Sequence, residues 1–95
     1  MLTIDDIKEK SKNVFMMYPI NKVALFGSYA KGLQTEDSDI DMVIKDSNIG
    51  ILTASNIKQQ LLSVFDENVD LVSEDDLSDV FRFLIKDEEV IIYEK

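Results

Sequence analysis

Apolar residues recur along the chain in two rhythms: every third or fourth position in some stretches, short continuous or alternating runs in others. Residues 3–17 carry Ile4, Ile7, Val14 and Phe15 on a partial stripe and predict a helix. Thr3 supplies a capping oxygen, and Asp5 and Asp6 suit the positive end of the dipole. Tyr18-Pro19 ends it, because the residue before a proline is pushed out of the helical region. Residues 22–26, Lys-Val-Ala-Leu-Phe, are a run of strand formers bounded by turn chemistry. In residues 39–45, Ile40, Met42 and Ile44 alternate with Asp39, Asp41 and Val43, so a strand there has one apolar face and one largely acidic face. Helical spacing returns from about 53 to 66 with Ala54, Ile57, Leu61 and Phe65. Val69–Val72 is a third strand. Ser73 and Asp76 form a capping arrangement ahead of a helix carrying Leu77, Val80, Phe81 and Leu84, and Glu89–Tyr93 closes as a fourth strand. The order α-β-turn-β-α-β-α-β predicts an α+β (α/β-like) fold, a sheet of about four strands covered by helices.

Composition narrows the chemistry. The 95 residues suit one domain, 1–95, and 45% hydrophobic with 31% charged residues is ordinary globular composition. Without Cys, disulfides, thiolate catalysis and Cys-ligated metal sites are excluded; without His, so are the usual general base and soft-metal ligand. Any metal must be held by oxygen, which points to Mg²⁺, Mn²⁺ or Ca²⁺. Ten Lys and Arg against 19 Asp and Glu give a net charge of −9, which argues against direct nucleic-acid binding and favours a basic partner. Apolar runs such as Val23–Phe26 are far too short to span a membrane, and no cationic region precedes an apolar one at the N-terminus. A cytoplasmic location is expected.

Two stretches carry candidate chemistry. Gly27-Ser28-Tyr29-Ala30-Lys31-Gly32 follows the first strand, where a glycine lets the backbone turn tightly and approach a ligand. If Ser28 to Lys31 begin a helical turn, their free N–H groups make a phosphate site. It is not a P-loop, because Leu33-Gln34 stand where Lys and Ser/Thr are required. Asp37-Ser38-Asp39-Ile40-Asp41 runs into the second strand, with Asp39 and Asp41 leaving one face about 6.5–7 Å apart at the backbone. Like charges so placed are unfavourable unless a cation lies between them. An EF-hand is excluded by Met42 at the glycine position and Asn48 at the bidentate glutamate position. Asp70 is a lone carboxylate in an apolar strand, and joins the pair if its strand lies beside the second in register. Each feature also has a plain structural reading: turn glycines, a solvated acidic strand face, a polar strand end, a surface lysine. Phe15-Met16-Met17-Tyr18 reads as core plus helix end, and Phe83 sits off the stripe of its helix.

Taken together, Leu25-Phe26-Gly27-Ser28-Tyr29-Ala30-Lys31-Gly32 followed by Ser38-Asp39-Ile40-Asp41-Met42-Val43-Ile44 resembles the minimal nucleotidyltransferase domains of the DNA-polymerase-beta-like superfamily. The resemblance covers nearly the whole chain and implies the nucleotidyltransferase fold, with a small mixed sheet. It further implies Mg²⁺-dependent transfer of a nucleoside monophosphate from an NTP to a hydroxyl, with release of pyrophosphate. By the same resemblance Asp39, Asp41 and Asp70 hold two Mg²⁺ ions and are the catalytic carboxylates, with Asp70 on the side of the attacking oxygen. Gly27 and Ser28 would cradle the terminal phosphates and Lys31 add a cation, although many members carry Arg there. A bare core of this size resembles the antitoxin half of HEPN–MNT toxin–antitoxin pairs, implying ATP, an all-helical RNase toxin as partner and AMPylation of that toxin. Two alternatives stand beside this: an idle site on a module that neutralises its partner by occlusion, and a small-molecule transferase of the aminoglycoside-modifying type.

Overall fold

The computed structural model describes residues 2–95. Helix α1 (Ile4–Phe15) begins with a reciprocal cap. Thr3 Oγ1 accepts from the Asp6 N–H at 3.1 Å, and Asp6 Oδ2 accepts from the Thr3 N–H at 3.0 Å, so two donors that the first turn would leave open are satisfied. The helix stops at Phe15; Met16 and Met17 form an exposed turn rather than the last helical residues. Strand β1 (Lys22–Phe26) passes directly into a single helical turn, α2 (Gly27–Lys31). There follow β2 (Ile40–Lys45), α3 (Ile51–Phe65), β3 (Val69–Ser73), a 3₁₀ turn (Glu74–Asp76), α4 (Asp79–Ile85) and β4 (Val90–Glu94).

The sheet order is β3-β2-β1-β4. β1 runs antiparallel to both β2 and β4, while β2 and β3, joined through α3, are parallel, so the sheet is mixed as expected. One face is fully covered. Ile40, Met42 and Ile44 of β2 join Val23 and Leu25 of β1, Val69 of β3 and Ile92 of β4 beneath α1 and α3, which contribute Ile7, Val14, Phe15, Ile57, Leu61 and Phe65. Burying these side chains supplies most of the folding drive, at roughly 1.5–3 kcal/mol for each large one.

The opposite face is covered only in part, by Ile85 of α4 on Ala24, Phe26 and Val43. Here the structure corrects two expectations. The stripe Leu77, Val80, Phe81 and Leu84 is not the buried side of α4: Leu77 precedes the helix, Phe81 is only partly covered, and Val80 and Leu84 face solvent. The cause is the small apolar area on this face, whose other end is given over to aspartates. The cap is also displaced. Ser73 makes no capping bond at the 3₁₀ turn, whereas Ser78 Oγ accepts from the Phe81 N–H at 3.1 Å and starts α4. Among the described residues no helix is long and apolar enough to cross a membrane.

The displaced cap gives a direct test. Ser78→Ala is expected to lower unfolding free energy by about 1 kcal/mol, and Ser73→Ala by clearly less, in urea titrations followed by circular dichroism.

Candidate active site

The site is assembled by strand register. Asp41 of β2 lies opposite Phe26 of β1 on one side and opposite Asp70 of β3 on the other. Residues facing one another across adjacent strands point to the same side of the sheet. Asp41 and Asp70 therefore share the face that carries Phe26 and Val43, away from the main core. The condition set by the sequence for Asp70 is met: its strand lies beside the second, in register. Asp39 stands one residue before β2, at the end of a loop closed by Thr35 N–H to Ser38 Oγ (2.8 Å) and Ser38 N–H to Thr35 O (3.1 Å).

Gly27 is fixed by two constraints. Its φ is +73°, and an added Cβ would lie well inside contact distance of Asp41 Oδ2 and 3.4 Å from Asp41 Cγ. The backbone leaving β1 thus passes directly against the carboxyl group, an approach open only to a residue without a side chain. Gly32, at φ +72°, has the same backbone need but open space around it. Between them Tyr29 is buried, and its hydroxyl donates to Glu67 Oε2 at 3.0 Å, tying α2 to the turn before β3. Burial first, and Glu67 second, push the Tyr29 phenol above its ordinary pKa, so it remains a neutral donor. Sequence reasoning missed this pin; the signal available was an aromatic inside a glycine-bounded turn.

Asp41 carries the electrostatic consequence. Half-buried and faced by Asp70 and Asp39, its carboxyl is raised from the ordinary 3.8 to about 6, first by burial, then by the charge of Asp70 and then by that of Asp39. Asp39 and Asp70 themselves are exposed. Among the described residues no three acidic side chains close into a finished metal cage. The donor set nevertheless fits a hard divalent cation: all oxygen, all carboxylate, and mutually repelling until a positive charge is supplied. Beside it runs an open groove of about 520 Å³ bounded by Asp37, Ser38, Asp39, Leu62, Glu67 and Asn68. A second hollow of about 320 Å³ adds Lys58, Val69 and Asp70 to three of the same residues. Lys58, on α3, was not singled out from sequence. Lys31 was, and the structure places its ammonium 3.2 Å from Glu88 Oε2, paired with a carboxylate rather than free for a phosphate. Ser28, half-buried, starts α2 beside Gly27.

The profile of the family described as "Polymerase beta, Nucleotidyltransferase" matches residues 9–95, and the chain belongs to that family. A relative in Methanocaldococcus jannaschii, named "Putative protein adenylyltransferase", is 33% identical over 82 residues, covering 81% of this chain and 84% of its own. Another of the same name and organism is 47% identical over 49 residues, so that this chain spans about half its length. Among solved structures, a toxin–antitoxin complex with AMP-PNP superposes with a TM-score of 0.79 at 24% identity, over 93% of this chain and 73% of the other. A tri-AMPylated Shewanella oneidensis HEPN toxin in complex with its MNT antitoxin gives 0.70 at 21%, over 98% and 74%. These two likenesses establish the nucleotidyltransferase fold.

Two expectations follow from the geometry. Gly27→Ala pays roughly 1–2 kcal/mol for its backbone alone, and more for the clash with Asp41, so it is expected to unfold at lower urea than Gly32→Ala, which carries only the backbone cost. The pH dependence has a definite sign. An acid whose folded pKa is raised destabilises the fold progressively as pH climbs from about 4 through about 6, with no penalty below and a constant one above. Without divalent cation, Asp41→Asn is therefore expected to raise the melting midpoint by a few degrees above about pH 7 and to leave it nearly unchanged near about pH 4. Added Mg²⁺ should stabilise the parent protein and not the variant.

Proposed function

We propose that this chain moves AMP from ATP to a hydroxyl of a HEPN-type toxin and acts as that toxin's antitoxin. The observation that carries the reading is the in-register Asp41–Asp70 pair, with Asp39 beside it, set against a turn that only Gly27 can make. Family membership supports the reaction class, and the names of relatives support the adenylyl group and the protein acceptor. Asp39, Asp41 and Asp70 would hold two Mg²⁺ ions, which when bound supply Lewis-acid polarisation of the α-phosphate and neutralise the triphosphate. Gly27 and Ser28 would position the terminal phosphates through backbone N–H groups and the hydroxyl. The acceptor oxygen attacks the α-phosphorus as the bond to the bridging oxygen breaks and pyrophosphate departs. Asp70, exposed beside Asp41, takes the acceptor's proton. Lys31 contributes to phosphate binding only after leaving Glu88, so its replacement should matter least.

A second reading, neutralisation by occlusion with an idle site, is favoured by the exposed apolar residues of α4, which serve binding without any chemistry. Transfer of label from α-labelled ATP with Mg²⁺ separates the two. The co-purified toxin is expected to become labelled, and Asp39→Asn/Asp41→Asn to reduce labelling to background while the complex still forms. A tight complex that never takes up label, with any NTP, would favour occlusion.

A further inference from the structure

Helix α4 turns its apolar side the wrong way for a monomer. Of Val80, Phe81, Phe83, Leu84 and Ile85, only Ile85 is buried; Val80 and Phe83 are each 70% exposed and Leu84 61%. At 100° per residue, Phe83, Val80 and Leu84 fall on one continuous arc, while Phe81 and Ile85 face the sheet. Solvating three large side chains side by side is unfavourable, and a patch of this kind marks a partner surface. Next to it, a hollow of about 220 Å³ opens between α4 and β2, with Phe83, Leu77, Val43 and Ile85 as its apolar walls and Arg82, Lys86 and Lys45 at its sides, the last paired with Glu89 and Glu74. That volume suits one inserted side chain, the type of anchor that dominates interface energies.

Charge and position choose the occupant. The segment from Asp75 to Glu88 carries five carboxylates, Asp75, Asp76, Asp79, Asp87 and Glu88, against Arg82 and Lys86, which line the hollow, with Lys86 over the Phe83 ring. A second copy would bring together two acidic segments on chains of net charge −9 each, whereas a basic surface is drawn in. The patch lies on the same side of the sheet as the aspartates, towards its other end. Phe81 stacks edge-on against Phe26 with ring centroids 5.8 Å apart, and Phe26 lies opposite Asp41 and immediately before Gly27. A protein seated on α4 therefore lies over the same sheet face as Asp41 and Asp70.

We infer that the Val80–Phe83–Leu84 face of α4, with the hollow beside Phe83, is the docking surface for a basic protein partner, which it holds over the sheet face that carries the three aspartates. The inference rests on the proposed function for the identity of that partner, the HEPN toxin.

The experiment measures binding of the full chain to the co-encoded HEPN toxin by calorimetry at low and high salt, with label transfer from ATP in parallel. Phe83→Asp and, separately, Val80→Lys are expected to weaken binding at least tenfold with an unchanged melting midpoint. Asp79→Lys/Asp87→Lys should weaken it chiefly at low salt. Asp39→Asn/Asp41→Asn should bind as the parent does. Parent-like binding by both Phe83→Asp and Val80→Lys overturns the docking surface, even if label is transferred. Absence of binding by the parent chain overturns it too. Loss of binding in these variants, with no label moved by the parent, keeps the docking surface and removes the transfer reaction. A parent chain that is dimeric and becomes monomeric in Phe83→Asp, without change in toxin affinity, makes the occupant a second copy and overturns the proposal.

Discussion

The position of Asp41 is the constraint on which the rest of the site depends. β2 is an interior strand and pairs on both sides, and its register is held by Ile40, Met42 and Ile44 in the main core. A slip of one residue would drive Asp41 into that core and lift the three apolar side chains into solvent, so the alternative is excluded by many kcal/mol of burial. With register fixed, Asp41 has no freedom over its neighbours: Asp70 on one side, Phe26 and the Gly27 turn on the other. The repulsion among the carboxylates is thus held in place by hydrophobic packing on the far side of the same strand. Gly27 follows from the same geometry, since any side chain there would displace the group that the core has positioned.

Much of this was legible in the sequence, and the limits have physical causes. Asp-x-Asp in an alternating strand places two carboxylates on one face whatever the partners of that strand. The glycine after an apolar run announces a turn at the strand's end, and the order of elements with the family resemblance gives a mixed four-stranded sheet. Whether Asp70 joins depends on β3 being parallel to β2 in one particular register, and local pattern does not encode that. For α4 the periodicity correctly indicates an amphipathic helix, but a stripe says only that an apolar face exists and not what covers it. Ser73 and Ser78 both offer capping oxygens, and only the intervening 3₁₀ turn decides between them. Lys31 is close to Gly27 in sequence, and its pairing with Glu88 at the surface joins residues 57 apart and shows only once the fold is in place. The Tyr29–Glu67 bond joins residues 38 apart and is visible only once β3 is placed.

The two sheet faces divide the work of the fold. The covered face, under α1 and α3, carries the stability; the other is packed at one end by Ile85 and left with aspartates at the other. An acidic cluster costs less when two of its members remain solvated, and Asp39 and Asp70 are exposed. Only Asp41 is pressed against backbone and partly withdrawn from water, and its carboxyl is held above the ordinary carboxylate range. The arrangement is tolerable without a cation and improves with one, as the proposed reaction requires.

An open carboxylate end also bears on specificity. The groove beside Asp39 is shallow and polar, and gives an acceptor few apolar contacts by which to be selected. On the proposed function, selection among acceptors then comes from elsewhere on the surface, and the outward face of α4 is an exposed apolar area on the same side of the sheet. Affinity obtained there can be spent on placing one hydroxyl against the aspartates, so that attack becomes effectively intramolecular. On the function proposed above, the two unusual features of this chain, a helix whose apolar residues face outward and a trio of aspartates without a covering layer, have one origin: partner recognition and catalysis share a single half-open face.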